Sequence, residues 1–261
     1  MITSAQNERV KYVRSLARRR VRQREGRFVV EGTRLLDELV GAGIEPALVF
    51  CTAAWAESPA GQRLLPQIHT GEGIWPVTDA VMAACADTQT PQGVLAVVPF
   101  LSLSPRPGLL LILDAIRDPG NLGTILRSAE SAGVGQVLLA PGTVDLYNPK
   151  VVRGAMGAHF RLPAFSHDWP EIARQAGGRA VWLADAAGET AYDAVDWTRP
   201  SALLVGAEAS GAGEEAAQMA TSRVSIPMIG GAESLNAAMA TTVILFEAAR
   251  QRRISALKET S

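Results

Sequence analysis

The chain has 261 residues, enough for one large domain or two modest ones. With 48% hydrophobic and 20% charged residues its composition is that of an ordinary globular protein, which excludes a disordered tail protein. The formal net charge of −1 hides a basic stretch: ten of the 25 Lys and Arg residues lie between Arg9 and Arg34, against three acids (Glu8, Glu25 and Glu31) over Glu8–Arg34.

In chain order, Asn7–Arg24 places Val10, Val13, Leu16, Ala17 and Val21 at helical spacing with arginines on the remaining faces, and predicts one amphipathic helix. Phe28–Val30 reads as a strand and Thr33–Val40 as a helix ended by Gly41 and Gly43. Ala47–Phe50, Ile74–Val77 and Val94–Val98 are further strand candidates, with a helix over Asp79–Cys85. Strands alternating with helices predict a small α/β domain over residues 1–101. Residues 102–108, within SLSPRPG, have the Ser, Pro and Gly content of a linker, which leaves 109–261 as the second domain.

Leu109–Leu113 is a continuous apolar run, expected of a strand buried on both faces of a parallel sheet. Pro119–Ala132 suits a helix with Pro near its start and Gly133 just past its end. Val137–Ala140, Ala180–Ala184, Ala202–Val205 and Val224–Ile226 are strand candidates separated by helix-sized segments. Ser234–Arg253 closes the chain as a long helix, apolar at Leu235, Met239, Val243 and Phe246 and again at Ala240, Ile244 and Ala248. So broad an apolar surface predicts cover on more than one face.

Cys51 and Cys85 have neither CxxC spacing nor a disulfide framework, and His69, His159 and His167 lie far from both, so no metal site is expected. No uncharged run approaches the roughly 18–20 residues of a membrane span, and the basic N-terminus lacks the apolar core of a signal peptide. The expected setting is the cytoplasm, away from membranes.

Three segments carry candidate chemistry. In Asp118–Glu130, Asn121 and Arg127 stand six residues apart on the expected helix; the pattern suits a capped helix with a surface arginine, or one presenting a guanidinium to a phosphate. Leu203–Gly211 runs from a buried strand into Gly206, Glu208 and Gly211, at the strand end where open α/β sheets bind ligands. Ile226–Asn236 is a glycine loop in which Ser234 reads as a helix N-cap.

Taken together and in this order, DPGNLGTILRSAESAG, LLVGAEASG and IPMIGGAESLNAAMA resemble the three motifs of the SpoU/TrmH family of RNA ribose 2'-O-methyltransferases, in the SPOUT superfamily. YNPKVVRGAMGAHFRLP between them is also similar, and ITSAQNERVKYVRSL with FVVEGTRLLDE resembles the substrate-binding domain that many members carry. Ala155 stands where a serine is common, and Ala237 and Met239 replace the usual valines. The resemblance implies an α/β catalytic domain with a C-terminal trefoil knot, preceded by a ribosomal-protein-like α/β module that binds RNA. It implies S-adenosylmethionine held by Val205, Gly206, Gly211, Ile226, Met228, Ser234 and Leu235. The implied catalytic set is Asn121, Arg127, Glu208, Ser234 and Asn236, with Arg127 the favoured base. A guanidinium, which gives up its proton only at great cost, suits phosphate binding and alkoxide stabilisation better. A homodimer, ribosomal RNA as substrate and no metal complete the expectation, with transfer RNA or a non-catalytic RNA-binding role as alternatives. An ordinary Rossmann methyltransferase fits poorly, because Leu109–Leu113 leads into DAIRDPGN without a GxGxxG loop.

The basic stretch adds Arg9, Lys11, Arg14, Arg18, Arg19, Arg20, Arg22 and Arg24 as candidate RNA contacts; a merely solvated charged face is the alternative.

Overall fold

A computed structural model of the chain describes residues 1–207, 211–231 and 233–259, and divides into two compact units. The first unit comprises Met1–Ser102 together with Tyr147–Phe160. It opens with α1 (Glu8–Ser15) and α2 (Arg19–Glu25), then β1 (Arg27–Glu31), α3 (Thr33–Gly41) and β2 (Leu48–Cys51). Two short helices, α4 (Ala53–Glu57) and α5 (Pro59–Leu64), precede β3 (Ile74–Pro76), α6 (Asp79–Cys85) and β4 (Val94–Pro99). The sheet order is β1-β4-β2-β3, with β4 antiparallel to both neighbours and β2 parallel to β3. Strand alternation builds two cores from one sheet. Val49, Val94, Ala96 and Val98 pack with Phe28, Leu36 and Leu39 on one face, whereas Phe50, Leu95 and Val97 pack with Val10, Val13 and Leu16 on the other.

The single helix expected over Asn7–Arg24 is two helices. Neither Gly nor Pro marks the break; Arg18 is extended, with φ −88° and ψ 125°. The break frees carbonyls that a continuous helix would have bonded, and the Arg22 guanidinium takes them, donating to Leu16 O at 2.8 Å and Ala17 O at 2.7 Å. Arg22 is 3% exposed and serves this junction. Its assignment as an RNA contact is therefore corrected.

The second unit comprises Leu103–Leu146 and Arg161–Ser261. It begins with β5 (Leu110–Leu113), α7 (Pro119–Ser131) and β6 (Gln136–Leu139). The chain then supplies α8 (Pro149–Ala155) to the first unit. It returns as β7 (Ala164–Ser166), α9 (Trp169–Ala176), β8 (Ala180–Ala184), β9 (Thr190–Ala191), β10 (Ser201–Val205), α10 (Glu214–Met219), β11 (Ser222–Ser225) and α11 (Ala237–Glu259). The sheet order is β7-β6-β5-β10-β8-β11-β9, and every pairing is parallel. Parallel strands need cover on both faces, which is why β5 and β10 are buried along their whole length.

Helix α11 begins at Ala237, three residues later than the sequence reading, because its cap is Asn236 and not Ser234. The Asn236 Oδ1 accepts from the amides of Ala238 at 3.0 Å and Met239 at 3.2 Å. Thr242 meets Ser128 of α7 at 2.8 Å, and Gln251 and Arg252 bond the backbone of Val195 and Trp197. Ile244 and Ala248 are buried within the chain, so one of the two apolar stripes already has its cover. The other stays bare: Met239 is 60%, Val243 37% and Phe246 49% exposed. Among the described residues no helix is long and apolar enough to cross a membrane.

Candidate active site

Three neighbouring strands end at one level. Val205 of β10 and Val224 of β11 both pair with Ala184 of β8, so the loops leaving these strands open at the same carboxyl edge. There they enclose a cleft of about 540 Å³, within the range of small-molecule sites and at the edge where such sheets bind ligands. Val205, Gly206, Gly211, Ile226, Met228, Ser234 and Leu235 all line it, joined by Ala240 and Ile244 of α11.

One stretch of the wall, Gly206, Ala207, Gly211 and Ala212, carries only small side chains. A Cβ on Gly206 would stand 2.6 Å from Ala212 N and 2.7 Å from Gly211 C, so only glycine permits the loop to fold back on itself here. Ala207 and Gly211 close that loop through two backbone hydrogen bonds, of 3.1 and 2.9 Å. Glu208 lies outside the described residues.

Two carboxylates that sequence reasoning passed over organise the rim. Asp114 follows β5, is buried, and accepts from Gly213 N at 2.7 Å, while its own amide donates to Val205 O at 2.8 Å. Ala115 beside it holds a φ of 53°, unusual for a residue with a Cβ. Asp185 follows β8 and lines the cleft; its carboxylate pairs with Arg223 at 2.8 Å and accepts from Ala187 N at 2.9 Å. The readable signal was shared: both are the first Asp-Ala after a buried parallel strand, in LLILDA and VWLADA.

Of the implied catalytic set, Asn121 and Asn236 come together, with Asn236 Nδ2 donating to Asn121 Oδ1 at 3.2 Å. The contact brings the starts of α7 and α11 together. Asp118 caps the first by accepting from Asn121 N at 2.8 Å. Ser234 is exposed on the cleft wall. Arg127 is exposed further along α7 and makes no hydrogen bond or ion pair with any described residue. The fold thus joins the two asparagines beside the cleft, and Arg127 hydrogen-bonds neither of them.

In the first unit Arg9, Lys11, Arg14, Arg18, Arg19, Arg20 and Arg24 are exposed. Arg9 lies over the Trp75 ring at 4.0 Å, Lys11 pairs with Glu8 at 3.0 Å and Arg24 with Glu25 at 2.8 Å.

An all-parallel sheet with a glycine-walled cleft at its carboxyl edge, joined to a basic α/β module, defines a cofactor-binding α/β protein with a separate module for an anionic partner. The profile of the SpoU rRNA Methylase family matches residues 108–246, and that of the MRM3-like substrate binding domain matches residues 7–96. The chain belongs to the SpoU rRNA methylase family. It is 31% identical to the 23S rRNA (guanosine(2553)-2'-O)-methyltransferase RlmP of Bacillus subtilis, over 94% of this chain and 97% of that one. It is 35% identical to the 23S rRNA (uridine(2479)-2'-O)-methyltransferase of Streptomyces viridochromogenes, over 91% and 87% of the two chains. The crystal structure of the SpoU methyltransferase AviRb from Streptomyces viridochromogenes, in complex with the cofactor AdoMet, superposes with a TM-score of 0.85. That match has 31% identity and covers 96% of this chain and 99% of the other.

Proposed function

We propose that the protein transfers a methyl group from S-adenosylmethionine to a ribose 2'-hydroxyl of ribosomal RNA, as a cytoplasmic homodimer. The observation that carries this reading is the cleft: seven residues from two separate motifs meet on one glycine-walled surface at the carboxyl edge of the sheet. Its dimensions and chemistry fit the cofactor. Small residues leave backbone groups free to hold a purine, and Asp185 and Glu233 line the cleft, as suits a cationic sulfonium. When bound, the cofactor supplies an electrophilic methyl group, and the protein's residues do the rest.

Asn121 and Asn236 orient the hydroxyl and its neighbours, and Ser234 shapes the wall beside them. Arg127 grips the phosphate next to the reacting ribose and stabilises negative charge as the hydroxyl proton leaves. Glu208 is proposed to help orient Arg127. Because Arg127 makes no hydrogen bond or ion pair with a described residue of its own chain, we assign its partner site to a second copy. The exposed stripe of Met239, Val243 and Phe246 gives that copy an apolar seat. The trefoil knot belongs to the same proposal. It is supported by the entry of β10 between β5 and β8, strands formed before it.

Ribosomal RNA is favoured by the names of the relatives and by the substrate-binding module. Site-by-site mapping of 2'-O-methylation in cells with and without the gene tests it. Loss of a site in ribosomal RNA supports the proposal; loss confined to transfer RNA overturns the substrate assignment.

A further inference from the structure

A second cavity, of about 270 Å³, is lined by residues of the first unit alone. Val13, Leu16, Val29 and Val152 give it apolar walls, and Arg14, Arg22, Arg153, Glu31 and Asp87 supply its charges. Most of those charges are already committed. Glu31 accepts from Asp87 N at 2.9 Å and from the Thr88 hydroxyl, Asp87 pairs with Arg153, and Arg22 holds the carbonyls of Leu16 and Ala17. Arg14 is different: it is exposed and makes no hydrogen bond or ion pair with a described residue, and its charge is felt at the Cys85 thiol, which also lines the cavity.

We propose that this cavity receives one unpaired nucleotide of the RNA substrate, its base between the apolar walls and its phosphate on Arg14. The inference rests on the reading that the protein methylates RNA. Three observations favour such an occupant. The volume falls just under the usual range for small-molecule pockets, which admits one base and excludes a duplex. Proteins that recognise RNA by sequence take hold of single bases splayed from loops and bulges by stacking them on aromatic rings or guanidinium planes, and Tyr147 and Arg153 are among the residues that line this cavity. Finally, the mouth of the cavity includes Ala17, in the turn whose next three residues are the exposed arginines Arg18, Arg19 and Arg20. A chain tracking those cations by its phosphates passes the opening.

The protein carries its own probe for this. Cys85 lines the cavity and is partly exposed, whereas Cys51 is buried, so slow alkylation of the native protein reports on Cys85. A ribosomal RNA fragment spanning the mapped methylation site is expected to slow Cys85 alkylation, and an equal concentration of mixed mononucleotides is not. The variant Ala17→Trp, at an exposed position, fills the mouth. It should weaken RNA binding about tenfold, the loss of one stacked base, while S-adenosylmethionine affinity and the circular dichroism spectrum stay those of the wild type. Should Ala17→Trp fail to fold, the Cys85 footprint on the wild-type protein decides alone. RNA that binds in a filter assay without slowing Cys85 alkylation overturns the cavity's role and leaves the methyltransferase reading intact, as does protection by mononucleotides alone. Absence of both RNA binding and methyl transfer overturns that reading, and this inference with it.

Discussion

Single residues separate binding from chemistry. Arg127 is proposed to act on the RNA side of the reaction, so Arg127→Ala should abolish methyl transfer while calorimetry finds S-adenosylmethionine affinity within a few-fold of wild type; turnover near wild type would remove Arg127 from the site. Gly206 makes the reverse case. A valine there drives its Cβ into the backbone of Gly211 and Ala212, at 2.7 and 2.6 Å, and backbone cannot step aside. Gly206→Val should therefore lose cofactor binding by more than about tenfold, the equivalent of the 1–3 kcal/mol of a typical overpacked site, and a calorimetric titration checks it. Cys85 gives a pH signature. Burial pushes its thiol up to about 11 from an ordinary 9.0, against the opposing effect of Arg14. The folded protein keeps this proton where the unfolded chain has lost it, so the stability it contributes is complete below pH 9 and declines as pH rises toward 11. Its alkylation rate, followed by mass spectrometry, should keep climbing toward pH 11, where an ordinary thiol has levelled off near 9.

At the level of elements, the α1–α2 junction shows what sequence patterning conveys and what it leaves out. Of the five residues that helical spacing put on the apolar face, Val10, Val13, Leu16 and Val21 are buried, whereas Ala17, at the break between the helices, is exposed. The spacing could not show the break, because that is made by a side-chain-to-backbone contact from Arg22 and not by a helix-breaking residue. Arginines that look equivalent in sequence are thus divided in structure. Arg22→Ala should cost about 1–3 kcal/mol of stability, since it strands two carbonyls. Arg18→Ala and Arg20→Ala should stay within about 0.5 kcal/mol, as surface changes do. In RNA binding the order reverses, each lost phosphate contact lowering the salt slope by about 0.7, the value for single strands. Chemical denaturation beside filter binding in graded salt measures both, and an unchanged slope would make the arginines a solvated face. The apolar strand read over Leu109–Leu113 was plain in the sequence and is observed over Leu110–Leu113, and the helix over Asp79–Cys85 was equally plain. Strands β7 and β9 have three and two residues and draw their identity from a neighbouring strand, so no local pattern announces them. Motif resemblance named seven residues that fold onto the wall of one cleft. Asp114 and Asp185 share a readable position, an Asp-Ala just after a strand, but their roles were not legible, because a carboxylate acquires its role only when folding brings Gly213 or Arg223 beside it.

For the whole molecule, the proposed dimer makes a sharp distinction between adjacent residues of α11. Ile244 is 1% exposed and faces the cleft, while Phe246 is 49% exposed on the bare stripe. Ile244→Lys should unfold the protein, because it buries a charge without a partner. Phe246→Lys should leave the monomer folded, by circular dichroism, but dissociated, by light scattering, and inactive. A fully active monomer at micromolar concentration would contradict the shared site. Underlying all of this is the claim that the chain places a methyl group on a ribose oxygen, and alkaline hydrolysis of RNA tests it directly. Cleavage by alkali requires a free 2'-hydroxyl, so a methylated ribose survives as an uncleaved dinucleotide. Ribosomal RNA incubated with the purified protein and tritium-labelled S-adenosylmethionine, then digested in alkali, should carry its label in alkali-resistant dinucleotides; label confined to mononucleotides, the mark of a methylated base, would contradict the account.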